Sequence, residues 1–314
     1  MDHSKRTDGR GMAIGDLLER VVASLDYGYV RKRIELFLSK TLGSSGKDGY
    51  VLGLSGGLDS SVVAALAAEA MHGYGRGKGS VVALIIPHSG ITPASDVDDA
   101  IRLAGRIGIE HEVIEVGDVH SLLVDRLRGM GRGRGGGGVG VGVGEVGDGD
   151  RSRSVKEMVA SGNLLARLRM CILYYYANIN DRLVLGTSDR SELMLGYYTK
   201  YGDGAADLLP IAGLYKVQVR ELARHLQIDD AIIRKRSSPM LWKGHYAEQE
   251  LGMSYEEIDS ILYCILDMGM SVNETTSMLG VEEEKVERVM HLLRSSRHKR
   301  ALPRVCNLKD LDTK

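Results

Sequence analysis

Apolar positions along the chain change their period several times, and each change marks an element. From Ile14 to Leu42 they recur at helical spacing: Leu17, Leu18, Val21, Val22 and Leu25, then Val30, Ile34, Phe37 and Leu38. This predicts one or two amphipathic helices with a break near Asp26 to Tyr29. "TLGSSGKDG" then reads as a loop, "YVLGL" as a short buried strand and "SSVVAALAAEAM" as a helix. "SVVALIIP" is a second buried strand closed by Pro87, and Ala94 to Ile107 a helix opened by Asp96, Asp98 and Asp99, which suit its positive N-terminal end. "EHEVIEV" alternates with period two and predicts a third strand. Val155 to Asn178 reads as a long helix, "RLVLG" as a fourth strand and "SDRSELMLG" as a helix start. Lys216 to Leu226 is helical again, and Tyr255 to Arg294 gives two or three short helices. Strands alternating with helices imply an α/β fold: a parallel sheet flanked by helices, Rossmann-like, with helical N- and C-terminal segments.

Composition narrows the class. The 314 residues are 43% hydrophobic with a net charge of −1, so no general electrostatic pull toward nucleic acid is expected. Cys171, Cys264 and Cys306 lie far apart and form no CxxC pair, which argues against a disulfide framework or a cysteine zinc site and fits a reducing compartment. There is no apolar leader and no run long enough to cross a bilayer, so a soluble, cytoplasmic protein is expected. Fourteen tyrosines stand against one Trp and one Phe, which leaves aromatic packing to tyrosine. Residues 1–13 read as a flexible polar tail and 14–314 as one α/β domain. A glycine-rich flexible insertion is expected at 129–150. That tract contains G-x-G-x-x-G at Gly131, Gly133 and Gly136. No strand precedes it, and the spacing is expected by chance in a glycine tract, so a dinucleotide fingerprint is rejected.

The candidate chemistry begins where the first strand runs into "VLGLSGGLDSS". Two glycines between strand and helix let backbone N–H groups converge, and with the helix N-terminus these form an anion site. Ser55, Ser60 and Ser61 add hydroxyl donors. Asp59 is unfavourable beside phosphate unless a cation intervenes, which points to Mg²⁺. A Walker-type loop is excluded, because no lysine follows the last glycine, and Gly46-Lys47 and Gly77-Lys78 lack the following Ser or Thr. On residue types alone, a tight capped turn explains the stretch equally well.

The S-G-G-x-D-S element resembles the pyrophosphate loop of the ATP pyrophosphatase (adenylating amidotransferase) superfamily. Further on, "NLLARLRMCILYYYAN" and "VLGTSDRSELMLGYYTKYGDGAADLLPIAGLYKVQVRELA" closely resemble the NAD synthetase family. They carry its N-x-x-A-R-x-R-M, G-T-x-x-x-x-E, T-K-Y-G-D-G-x-x-D and L-x-K-x-x-V elements. The order and spacing match over most of Tyr50 to Arg300. The resemblance implies ATP-dependent amidation of deamido-NAD with ammonia through an adenylated carboxylate, with ATP as co-substrate and Mg²⁺ as cofactor. It further implies that Gly53, Leu54, Ser55, Gly56, Gly57, Leu58, Asp59 and Ser60 form the ATP loop, joined by Thr187, Lys216 and Ser238. Asp59 and Glu192 would hold the metal. Arg167, Lys200, Asp207, His298 and Lys299 would contact deamido-NAD. Asp203 is the candidate for binding or deprotonating ammonium. The family also implies a homodimer.

Simpler roles compete at several positions. Glu192 and Lys200 also read as solvated helix-face charges, and Arg167 and Arg169 as flanks of an exposed face. Tyr174, Tyr175 and Tyr176 read as packing, Tyr197 and Tyr198 as packing or stacking near the dinucleotide, and His88 as a loop residue near the nucleotide edge. Other adenylating enzymes of the superfamily share the Ser55 loop but not T-K-Y-G-D-G-x-x-D. The tail "MSVNETTSMLGVEEEKVERVMHLL" has helix-turn-helix spacing. Its second helix opens on Glu282, Glu283 and Glu284, which repel phosphate, so a helical cap is expected instead. The segment "RKRSSPMLWKGHYAEQELG" departs from the family pattern, with Ala247 where an Asp is common and Glu248 retained, and it is expected to close over substrate. No glutaminase domain fits in the roughly fifty residues before the first strand. Ammonia is then the direct nitrogen donor unless a separate glutaminase supplies it.

Overall fold

The structure, a computed structural model, describes residues 13–72, 79–127 and 148–306. Residues 1–12 of the tail expected at 1–13 and residues 129–147 of the insertion expected at 129–150 lie outside the described residues. Helices α1 (Ile14–Ala23) and α2 (Tyr27–Ser45) lead into β1 (Gly49–Gly53), α3 (Leu58–His72), β2 (Ser80–Ile85), α4 (Ala94–Ile107) and β3 (Glu110–Val113). Then come α5 (Gly117–Leu127), α6 (Asp148–Ile179), β4 (Arg182–Leu185), α7 (Arg190–Leu195), α8 (Lys216–His225), α9 (Asp230–Ile233) and α10 (Ala247–Leu251). Helices α11 (Tyr255–Leu266), α12 (Val272–Leu279) and α13 (Glu283–Ser295) close the chain, with a 3₁₀ turn at Ser296–Lys299.

The sheet is all parallel in the order β3-β2-β1-β4. Its central strands are buried on both faces, which is why they read as continuous apolar runs. Tyr50 and Leu52 of β1, with Val81 and Ala83 of β2, join one core with α2, α3, α4 and α8. Val51, Val82 and Val184 face the opposite core, covered by Leu165, Met170 and Leu173 of α6. A third core joins α1 to the C-terminal helices through Leu17, Val21, Tyr255, Ile258, Val286 and Val289. The tail with helix-turn-helix spacing is thus a packed cap, and Val286 and Val289 have no solvent exposure. Ser254–Glu257 and Ser271–Glu274 form reciprocal capping boxes at the starts of α11 and α12.

Two expectations are corrected and one helix is added. Residues 41–45 of the predicted loop continue α2, which stops at Gly46 in the left-handed region (φ 71°). The third strand ends at Val113, and its four residues are all exposed at the sheet edge, so its alternation marks no buried face in the chain alone. Helix α5 had no counterpart in the sequence reading. The chain crosses from β3 at one edge to β4 at the other, so the sheet's switch point lies between β1 and β4, where a crevice opens at the strand ends.

Candidate active site

The crevice is a cavity of about 570 Å³. Its walls come from the ends of β1, β2 and β4, from α6, and from the segment at 235–247. At the β1 end, Gly56 adopts φ 75°, and a Cβ there would lie 2.1 Å from the Asp96 carbonyl oxygen. Only glycine fits such a turn against the start of α4. The Ser55 and Ser60 hydroxyls lie 3.0 Å apart, and the Gly57 N–H donates to Ser55 Oγ at 3.3 Å. Lys235 ties this loop down by donating to the Gly56 carbonyl (2.9 Å) and Asp96 (2.7 Å), and it also pairs with Asp99.

Beside the loop stands a cluster whose centre the sequence only half revealed. Lys216, with no solvent exposure, donates to Asp59 Oδ2 at 2.7 Å and Glu192 Oε1 at 2.9 Å, and pairs with Asp189 Oδ2 at 3.0 Å. Burial lowers the lysine pKa, but the three carboxylates outweigh it and hold the ammonium charged. Desolvation raises the Asp189 and Glu192 carboxyls despite Lys216, Glu192 well above its ordinary value. Fully ionised, three carboxylates against one ammonium would leave a surplus of two negative charges, and this mutual repulsion adds to desolvation in raising Asp189 and Glu192. Asp59 Oδ1 is buried without a hydrogen-bond partner. These features fit a second cation at the outer edge of the cluster. Among the described residues no group of three or more His, Cys, Asp or Glu side chains is arranged to hold a metal ion by itself, and the point where Asp59, Asp189 and Glu192 converge is taken by the Lys216 ammonium. Mg²⁺ suits this arrangement, since it is commonly held by one or two carboxylates with phosphate and water completing its shell.

Sequence reasoning missed Asp189 and Asp259. Asp189 caps α7 through the Glu192 N–H (2.8 Å), so its sequence signal is that of an ordinary N-cap. Asp259, on α11 and fully buried, accepts from Ser191 Oγ at 2.5 Å and the Val217 N–H at 2.9 Å. Ser191 Oγ in turn accepts the Lys216 N–H at 3.0 Å. Asp259 therefore pins the two helices that present Glu192 and Lys216.

The other expected residues divide into two groups. Thr187, Ser238 and Asp203 line the cavity with the loop, Asp59 and Glu192. Asp203 Oδ1 accepts the Thr199 N–H at 2.8 Å, and the residue opens to solvent while protein crowds its carboxylate, so desolvation raises its pKa. Ser238 Oγ instead donates to the His245 carbonyl at 2.5 Å, inside a segment where Trp242 stacks on His245 at 3.4 Å. Arg167, Lys200, His298 and Lys299 gather outside the cavity lining. Arg167 donates to the Lys200 carbonyl (3.3 Å), Lys200 Nζ to the His298 carbonyl (2.8 Å), and Lys299 Nζ to the Gly196 and Tyr198 carbonyls. Asp207 stands apart, accepting the Val184 N–H at 2.7 Å and the Tyr174 hydroxyl at 3.3 Å. Arg169 faces the cavity rather than an exposed helix face. Ala247 is buried, packed in the C-terminal core and among the residues lining the cavity, and Glu248 accepts the Tyr255 N–H at 3.1 Å.

A sequence model of the family described as NAD synthase matches residues 30–303. The chain belongs to the NAD synthase family. Within it, the chain is 45% identical over 282 residues to an NH(3)-dependent NAD(+) synthetase from Aeropyrum pernix, covering 90% of both chains. Among solved structures it is similar to an NMN synthetase from Francisella tularensis, with TM-score 0.72, 31% identity and coverage of 90% of this chain and 99% of that one. It is also similar to an NH3-dependent NAD synthetase from Campylobacter jejuni, with TM-score 0.67, 26% identity and coverage of 90% and 100%. The parallel sheet and flanking helices are thus those of NAD synthases.

Proposed function

We propose that the chain amidates deamido-NAD to NAD with ammonia, using ATP as co-substrate and releasing AMP and pyrophosphate through an adenylated carboxylate. The observation that carries this reading is the shared cavity. The Ser55–Ser60 anion loop, the cluster of surplus negative charge and Asp203 all open into it at the switch point of the sheet. Loop backbone groups from Gly53 to Ser60 would hold the departing pyrophosphate, with Thr187 and Ser238 placed for the nucleotide. Lys216 keeps Asp59 and Glu192 aimed at the phosphates, and these two would hold Mg²⁺. When bound, that ion offsets phosphate charge and polarises the phosphoryl group under attack. Asp203, its pKa raised by desolvation, accepts a proton from the incoming nitrogen. Arg167, Lys200, His298 and Lys299 would supply cationic and backbone contacts for the dinucleotide, and Asp207, held against β4 by the Val184 N–H, a further one.

We further infer a single domain over residues 14–314 that acts as a homodimer. Supporting the dimer, Val119 and Leu122 of α5 and Tyr175 and Ile179 of α6 are 52–69% exposed, an apolar load that a free surface helix rarely carries. No described helix is long and apolar enough to cross a membrane, which suits a cytoplasmic enzyme. The likeness to an NMN synthetase favours a second reading, in which the acid acted on is the corresponding mononucleotide; the higher identity to NH(3)-dependent NAD(+) synthetases favours the dinucleotide.

The test is pyrophosphate release by purified protein with ATP and Mg²⁺, comparing deamido-NAD with its mononucleotide and ammonium with glutamine. Release coupled to NAD with ammonium is expected. A strong preference for the mononucleotide would replace the substrate, and activity with glutamine alone would replace the nitrogen donor.

A further inference from the structure

The cavity lining carries a cation that the reading above does not use. Arg169, on α6, lines the same cavity as Asp59 and Glu192. Its Nε donates to the Ile86 carbonyl at 3.1 Å and its Nη1 to the Met240 carbonyl at 3.3 Å. Among the described residues no carboxylate is in ion-pair contact with it, whereas Lys216 meets three. Desolvation lowers the Arg169 pKa to about 10, and the opposing charge of Asp203 only partly offsets this. A desolvated guanidinium held by neutral carbonyls is costly to keep unless an anion completes it. Its planar fork still has donors to give.

We propose that Arg169 is a catalytic residue that binds the carboxyl oxygen of the acid substrate and stabilises the oxyanion formed when ammonia attacks. This rests on the amidation reading above. Asp203, the proton acceptor for the nitrogen, and Arg169 both line the one cavity and feel each other's charge, and we seat the acyl carbon between them.

Charge flow then fixes which step Arg169 serves. In adenylation, a carboxylate oxygen forms a bond to the α-phosphorus while the bond to pyrophosphate breaks, so negative charge leaves the carboxyl group. A cation there stabilises the ground state more than the transition state and contributes mainly to binding. In amidation, the nitrogen lone pair forms the C–N bond and the carbonyl π pair moves onto oxygen as a full negative charge. That pair then returns, the C–O bond to AMP breaks with its electrons on AMP, and a proton passes from nitrogen to Asp203. A guanidinium fixed at the oxygen is matched to the charge that develops in this second step.

The experiment separates the steps in Arg169→Gln, with Arg169→Lys as the conservative variant. Without ammonia, deamido-NAD-dependent exchange of labelled pyrophosphate into ATP reports adenylation. In single turnover with ammonia, quenched samples report the acyl-adenylate and NAD. For Arg169→Gln, exchange at saturating deamido-NAD should fall less than tenfold, with KM for deamido-NAD raised. Amidation should slow on the order of 10²–10³-fold, the usual loss for one oxyanion donor, so the adenylate accumulates. Arg169→Lys should recover part of the amidation rate, and it carries the same comparison if the Gln variant melts well below the parent. Equal losses in both steps without adenylate accumulation would reduce Arg169 to a strut between Ile86 and Met240, and an unchanged amidation rate would remove any role. Absence of deamido-NAD-dependent exchange in the parent protein would instead overturn the amidation reading.

Discussion

Replacing Lys216 by Met is the most direct probe of the acidic cluster. The side chains are similar in length, so the change removes a charge with little loss of volume. Lys216 and Asp189 are both fully buried at 3.0 Å. At an effective dielectric of about 20, two unit charges at that distance attract by about 5–6 kcal/mol before desolvation is counted. Asp59 and Glu192, each with 20% side-chain exposure, add smaller screened contributions. Removing one partner of a buried pair typically costs about 3–5 kcal/mol, because the stranded charge stays buried. For a chain of this size that is a drop in Tm on the order of 10 °C.

The mechanism is separable from mere packing loss by a double-mutant cycle, read by thermal unfolding. In the parent protein, Asp189→Asn should destabilise, since Asp189 both pairs with Lys216 and caps α7. In the Lys216→Met background the same change removes a stranded charge, so it should cost far less or restore stability. The coupling should be about 1–3 kcal/mol. Mg²⁺ should raise the Tm of Lys216→Met more than that of the parent, since it meets an acidic site with one fewer cation. Additive effects of the two substitutions, together with indifference to Mg²⁺, would refute the view that charge balance organises this site.

Three further outcomes follow from particular contacts. Gly56→Ala should abolish ATP-dependent pyrophosphate release and lower the Tm, because its Cβ would meet the Asp96 carbonyl at 2.1 Å and φ is 75°; retained turnover would show that the loop shape is dispensable. Asp259 has its pKa raised by burial from 3.8 to about 7, so the unfolded chain releases that proton first and stability falls as pH rises from about 4 to about 7. The span is about three units, or about 4 kcal/mol; Asp259→Asn should flatten it in denaturant titrations across that window, and an unchanged slope would assign the dependence elsewhere. Tyr175→Arg, at a side chain 69% exposed on α6, should shift the mass measured by light scattering toward that of the monomer; an unaffected dimer, or a monomeric parent, would move or remove the proposed interface.

What the sequence made legible, and what it hid, follows from how far each function depends on neighbours in the chain. The Ser55–Ser60 loop is local: strand, glycine pair, acid and helix are consecutive, so its residues could be read in order. β1 and β2 were equally plain, because burial on both faces leaves an uninterrupted apolar run. Residues 41–45 misled for the opposite reason, since Gly43 and two serines suit a loop until α2 packs on α3 and carries the helix on to Gly46. Asp189 and Asp259 were invisible in a different way. One has the signature of any helix cap, and the other reads as a polar position in an amphipathic helix, 68 residues from the hydroxyl that it holds. Arg169 differs from Arg167 by two positions on α6, yet that rotation of about 200° carries it from an exposed face to the cavity wall. Residue type and motif identify the groups proposed to touch phosphate. The groups that hold those contacts in place, or complete the charge balance, become identifiable only when distant elements are brought together, and Lys216 with its three carboxylates is the point where both kinds meet.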